Sequence, residues 1–228
     1  MTHPHNESPV NPLPPVVVAL FLIMAGLELA FSLGARGLIG GPDAVGWRTM
    51  AIERFAFSGA VLDWMRETGR YPAEHLVRFL GYAFVHVTFM HGLFVMVILL
   101  AMGKIVAEAM GAVAFLAVFV VSTVFGALVW GLALDDPALL VGGFPAVYGL
   151  IGSFTYLLWL RLGQVGAPQM RAFTLIGLLL FIQLVFSLLF DAGSDWIADI
   201  AGFVAGFMLS IVLVPGGLAR LITRIRRQ

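Results

Sequence analysis

The chain contains no cysteine. Disulfides, thiolate metal sites and thiol nucleophiles are therefore excluded. Charge is scarce too. Asp, Glu, Lys and Arg make up 11% of the residues and the formal net charge is zero, against about 25% charged in a soluble domain. So sparse and balanced a charge gives no electrostatic case for a nucleic-acid partner. The opening stretch, Met1 to Pro14, is polar but has neither Lys nor Arg. It lacks the basic region of a signal peptide, so the first apolar run is expected to be a retained transmembrane helix. No second domain, internal repeat or low-complexity tract is evident.

Apolar residues are abundant instead, at 61%, with a mean hydropathy of +1.00. Crossing the hydrocarbon core takes about 20 apolar residues in a helix. Six runs qualify as candidates: 15–33, 79–102, 112–134, 144–160, 172–190 and 196–214. The expected fold class is all-α, a polytopic membrane protein built as a six-transmembrane-helix bundle over residues 15–214. A polar arm (1–14) precedes it and a basic tail (215–228) follows.

An even number of spans puts both termini on one side. Lys104, Arg161, Arg171, Arg220, Arg224, Arg226 and Arg227 lie on that side. The short loops opposite hold only Asp135, Asp136, Asp191 and Asp195. Cations near short loops set topology, so both termini are expected in the cytoplasm, in a bacterial inner membrane. The basic tail is expected to meet anionic membrane lipids.

The first loop, 34–78, would then lie outside. In it Met50, Ile52, Phe55, Phe57, Val61, Leu62, Trp64 and Met65 recur among Arg48, Glu53, Arg54, Asp63 and Arg66. Mixed three- and four-residue spacing predicts short amphipathic helices lying in the interface, with a soluble hairpin on the outer surface as the alternative. Gly59, Gly69 and Pro72 punctuate them.

Three motifs carry a more specific signal. Gly142-Gly143-Phe144-Pro145-Ala146-Val147-Tyr148-Gly149-Leu150-Ile151-Gly152 resembles a G-x-S-G-x-x-Y-G-L-x-G motif. Asp199-Ile200-Ala201-Gly202-Phe203-Val204-Ala205-Gly206 resembles H-x-x-G-x-x-x-G. Phe84-Val85-His86-Val87-Thr88-Phe89-Met90-His91 carries paired histidines at the start of the second candidate span. In this order, on these spans, they resemble the rhomboid family of intramembrane serine proteases. The resemblance runs from about Arg78 to Val214. It implies a rhomboid-like fold in which His91 helps to bind the oxyanion and Tyr148 packs against the catalytic histidine. It also implies that Gly202 and Gly206 let the sixth span approach the fourth, and that Arg78 is the arginine of a Trp-Arg motif whose tryptophan slot holds Val77.

The chemistry expected of that family is interrupted. Its nucleophile slot holds Phe144, its histidine slot Asp199, and its oxyanion asparagine slot Val95. Acyl transfer by serine needs a hydroxyl, a base and donors for the oxyanion. Pro145 also lacks the backbone N–H that could donate beside the nucleophile slot. Ser153 and Thr155 lie roughly 13–17 Å deeper on the same span, while Ser122 and Thr123 sit mid-span and Ser194 in a loop, so no replacement nucleophile is expected. The chain reads as a catalytically inactive member with no catalytic residue, metal or cofactor.

Polar groups within apolar runs remain to be explained, because ionisable residues inside a membrane default to a functional role. They are Glu28, His86, His91 and Asp199. One reading is a wet pocket in which Asp199 pairs with His91 or His86, or bonds Tyr148. Another is a zinc site, whose ligand types fit but whose spacing is not a known one. The plain alternative makes Asp199 a helix cap and the histidines ordinary interfacial residues. Glu28 is expected to reach the interface or to pair with a partner's cation.

The candidate binding residues are thus Glu28, Arg78, His91, Phe144, Tyr148, Asp199, Gly202 and Gly206. The resemblance implies a frame open laterally to other transmembrane proteins. Inactive relatives, the iRhoms and derlins, bind membrane clients. The expected function is client binding without proteolysis. The alternatives are a structural accessory subunit of a larger membrane complex, or a protease with a rearranged site.

Overall fold

The computed structural model describes residues 12–134, 137–190 and 193–217. The arm before residue 12, the basic tail from 218, and Asp135, Asp136 and Asp191 lie outside the described residues, as do the expectations placed on them. The described chain is helical apart from one short strand pair. The long helices are α1 (Pro15–Ala35), α6 (Phe89–Met110), α7 (Ala112–Ala133), α8 (Phe144–Gln164), α9 (Thr174–Phe190) and α10 (Trp196–Leu213).

Five of these, all but α9, are long and apolar enough to cross a membrane. With these spans the chain is an integral membrane protein. The fifth expected span, α9, is an apolar helix of 17 residues, shorter than the others. Five of the six apolar runs form helices whose bounds agree with the sequence reading to within a few residues. The second does not: α6 starts ten residues later than the apolar run suggests. Thr88 stops the earlier register, since its hydroxyl accepts the His91 amide and caps α6. The preceding apolar residues are used otherwise, in α5 (Arg78–Gly81) and a 3₁₀ turn (Tyr82–Phe84).

The helix α8 lies at the centre. It packs on α10, α7 and α6, while α1 packs on α6. Residues Pro145 to Ser153 of α8 are buried in an unbroken run, so the helix is covered on all sides over that length. Small residues permit this. A Cβ on Gly206 would overlap the Gly149 carbonyl, and one on Gly202 would overlap the Pro145 carbonyl. Deeper in the interface the Ser210 hydroxyl donates to Ser153 Oγ at 2.7 Å. Helices in lipid gain little from the hydrophobic effect and associate by close packing and hydrogen bonds, so these glycines set the approach of α8 and α10.

The long loop holds the short helices expected of it: α2 (Trp47–Phe55), α3 (Gly59–Thr68) and α4 (Ala73–Leu76). Ser58 caps α3 through the Val61 amide, and Gly69 ends it in the left-handed conformation. Strand β1 (Phe57–Ser58) pairs antiparallel with β2 (Leu139–Leu140), with Phe57 opposite Leu140. That pairing ties the loop to the segment that enters α8. Beneath it Phe57, Leu62, Met65, Tyr82, Trp130 and Leu140 form a second buried cluster.

Candidate functional site

Two residues past β2 the chain turns into α8 at Gly142, whose φ is +103°. A side chain is strained there, and a Cβ would overlap the His91 imidazole. The Gly142 amide donates to the Tyr82 carbonyl at 2.9 Å. Gly143 follows, where a Cβ would lie 2.8 Å from Val95 Cγ1 and 2.9 Å from the Ala83 carbonyl. Only glycine lets the chain pass this close to α6. Gly142→Ala is expected to cost about 1–3 kcal/mol, read as a lower unfolding midpoint in detergent.

Phe144 opens α8 and Pro145 follows it in the first turn, where a missing N–H costs nothing. The Phe144 ring stacks on His91, with centroids 5.1 Å apart and planes 17° from parallel. One turn further on, Tyr148 meets Phe144 edge-on at 6.3 Å. On the other side His86 meets His91 edge-on at 5.2 Å. His86, His91, Phe144 and Tyr148 therefore form one continuous row of rings. Val95 is fully buried beneath Gly143.

His86 is not inside a span. It precedes the Thr88 cap in the loop and is nonetheless buried, at 1% exposure. Burial first, then the neighbouring His91 and Arg48, push its pKa from 6.5 down to about 4. Between those values the unfolded chain binds a proton that the folded chain does not. Stability therefore falls as pH drops from about 6.5 to about 4, by at most about 1.4 kcal/mol per pH unit. Unfolding midpoints across that range check it, and His86→Gln should flatten the dependence.

Glu28 neither reaches the interface nor waits for a partner's cation. It is 2% exposed and pairs with Arg48 of the same chain. Arg48 Nη2 donates to Oε1 at 2.5 Å and Nη1 to Oε2 at 3.0 Å, the bidentate geometry that guanidinium favours. Ser32 donates to Oε1 at 3.3 Å. Arg48 Nη1 also donates to the His86 carbonyl at 2.6 Å, and its guanidinium stands 5.5 Å over the Phe31 ring. The network joins α1, α2 and the loop before α6. Gly92 leaves room for it, since a Cβ there would lie 3.2 Å from the His86 ring and 3.3 Å from Glu28 Oε2.

Asp199 is 3% exposed. It is not the cap of α10: Asp195 holds that position, and Asp199 lies inside the first turn. It bonds neither histidine nor Tyr148. Its Oδ2 accepts from Gln183 Nε2 of α9 at 2.8 Å, while its Oδ1 has no partner. Among the described residues no group of three metal-ligating side chains converges. Arg78 braces the loop, donating to the Ala56 and Glu53 carbonyls at 2.8 Å each. Tyr82 donates to the Thr123 carbonyl at 2.8 Å. Burial first, then the Asp199 charge, holds that phenol well above its ordinary pKa, so it stays a donor.

Hydroxyls elsewhere are occupied, except that of Ser122, which is fully buried and has no partner among the described residues. Ser153 donates to the Gly206 carbonyl, Thr155 to Ile151 and Thr123 to Phe119. Ser194 accepts from Trp130 Nε1. Two residues of the site escaped the sequence reading. Arg48 looked like one cation among several in an amphipathic loop. Gln183 is a lone amide in an otherwise apolar run, and that was a usable signal, because polar groups inside a span need partners.

The glycine approach of α8 to α10, the paired histidines beside the start of α8 and the braced first loop are now in place. The rhomboid domain family matches residues 73–216, more than half of the chain. The chain belongs to the rhomboid family. Within this rhomboid-family frame, Phe144 and Asp199 both lie inside the matched residues. The chain matches none of the curated proteins compared with it.

Proposed function

We propose that this rhomboid-family protein binds transmembrane segments of other proteins and does not cleave them. The observation that carries this reading is the ring of Phe144, which stands at the nucleophile slot and stacks on His91. The position supplies no hydroxyl, and its apolar bulk occupies the space where a scissile bond would enter. Asp199 at the histidine slot bonds Gln183 and is not in bonding contact with Phe144. With no nucleophile in place there is no proton for a base to take. Val95 adds no donor for an oxyanion.

What persists is a frame suited to binding. Its lateral face on α9 carries exposed Leu178, Phe181, Ile182 and Leu184. In this reading α9 completes a six-span bundle, both termini are cytoplasmic and the chain sits in a bacterial inner membrane.

Purification of the tagged chain from its own membranes in mild detergent, with quantitative mass spectrometry, tests the reading. A spread of substoichiometric single-span proteins is expected. One partner complex at constant ratio would instead make the chain a structural subunit.

A further inference from the structure

Two cavities of opposite character share a wall at Phe55. One, of about 520 Å³, is lined by Arg54, Phe55, Glu74, His75, Val77 and Arg78. The other, of about 250 Å³, is lined by Leu27, Phe31, Ala51, Phe55, Gly81 and Phe84, with no polar side chain in its wall. Both follow the seam between α2 and α5.

The first cavity carries positive charge that nothing in the chain neutralises. Among the described residues neither Arg54 nor Arg78 is in an ion pair. Arg78 directs its two Nη atoms at the Ala56 and Glu53 carbonyls, and its Nε is buried with no acceptor. The Arg54 guanidinium stands 5.5 Å over the Phe55 ring, at the junction of the two cavities. Glu74 is the carboxylate of this wall, so two guanidinium groups face one negative charge. Guanidinium groups suit phosphate oxygens well.

The second cavity runs down a membrane span. Phe31 and Leu27 lie four and eight residues before the end of α1 at Ala35, roughly 6 and 12 Å into the helix. The cationic cavity lies instead among the loop helices. A cationic end at the loop and an apolar end along a span match the polarity of a phospholipid standing in the bilayer. An apolar helix of a partner supplies no anion to the guanidinium groups, and a free phosphate leaves the apolar cavity unfilled.

We infer that this seam seats one glycerophospholipid, its phosphodiester beside Arg54 and Arg78 and an acyl chain along Phe55, Ala51 and Leu27. Bound in this way, the lipid joins α2 and α5 to α1 and holds the loop against the membrane. The site is independent of the client-binding reading above.

The full chain in a maltoside detergent is titrated with phosphatidylglycerol and with diacylglycerol of the same chains, and bound lipid is counted by native mass spectrometry. Phosphatidylglycerol is expected to bind roughly five- to thirtyfold more tightly, the effect of one or two guanidinium contacts. Arg54 is exposed, so Arg54→Gln leaves the bundle folded, and it should cut that preference about fivefold. Ala51→Leu narrows the apolar cavity and should weaken both lipids, with the unfolding midpoint reporting that the bundle is intact. Glycerophosphoglycerol, the same headgroup without chains, should not displace the lipid at equal concentration. Displacement by it would make the site one for a free phosphodiester and overturn the lipid assignment. Equal affinity for the two lipids overturns it too, as does a preference unchanged in Arg54→Gln, which is what binding at the basic tail would give.

Discussion

Gly206→Leu is expected to cost at least about 3 kcal/mol and to leave little folded protein. A Cβ at this position already overlaps the Gly149 carbonyl, and both groups belong to helix backbones that cannot step aside singly. Overpacking a yielding core typically costs about 1–3 kcal/mol. Here the obstacle is main chain on both sides, so α8 and α10 must separate. Separation would also break the Ser210–Ser153 hydrogen bond and disturb the ring row at the start of α8. Gly202→Leu should behave alike, because its Cβ overlaps the Pro145 carbonyl. Gly26→Leu is the control, since nothing lies within 4 Å of a Cβ there. Titration with denaturing detergent reads all three, with the control staying within about 0.5 kcal/mol of the native chain.

The second large effect is expected at Arg48. Arg48→Ala removes the bidentate partner of Glu28, a carboxylate that is 2% exposed. Breaking a buried pair from one side costs about 3–5 kcal/mol, because a charge is left uncompensated. The same change removes a donor from the His86 carbonyl, loosening the loop that precedes α6. Replacing both members, Glu28→Leu with Arg48→Met, should recover most of the loss, since well-packed apolar residues often match a buried ion pair. A double-mutant cycle in detergent measures the coupling. Additive losses would mean that the pair is not a unit.

How much of this was legible in the sequence depends on how local the cause was. The approach of α10 to α8 was readable, because Gly202 and Gly206 carry it in a fixed motif and both helices are set by long apolar runs. Gly59, Gly69 and Pro72 likewise marked the loop helices, since turn chemistry is local. The start of the second span was misplaced because hydropathy treats Phe79 to Phe84 as lipid-facing. The chain uses Tyr82 and Ala83 to cover Trp130 and α8 instead. The Glu28–Arg48 pair was hidden by distance along the chain. Twenty residues separate the two, and nothing in the loop's charge pattern distinguishes Arg48 from Arg54 or Arg66. Asp199 stands out in the sequence as a carboxylate in an apolar run, but the family frame points to the histidines as its partners. The amide of Gln183 on α9 reaches it first.

A cleavage assay in vesicles decides whether this rhomboid frame lacks proteolysis. The native chain and the triple variant Phe144→Ser, Asp199→His, Val95→Asn are each reconstituted with a single-span reporter and a serine-reactive fluorophosphonate. The native chain is predicted to cleave nothing and to take up no label, and any activity gained is predicted to appear in the triple variant. Cleavage or labelling by the native chain would make it a working protease.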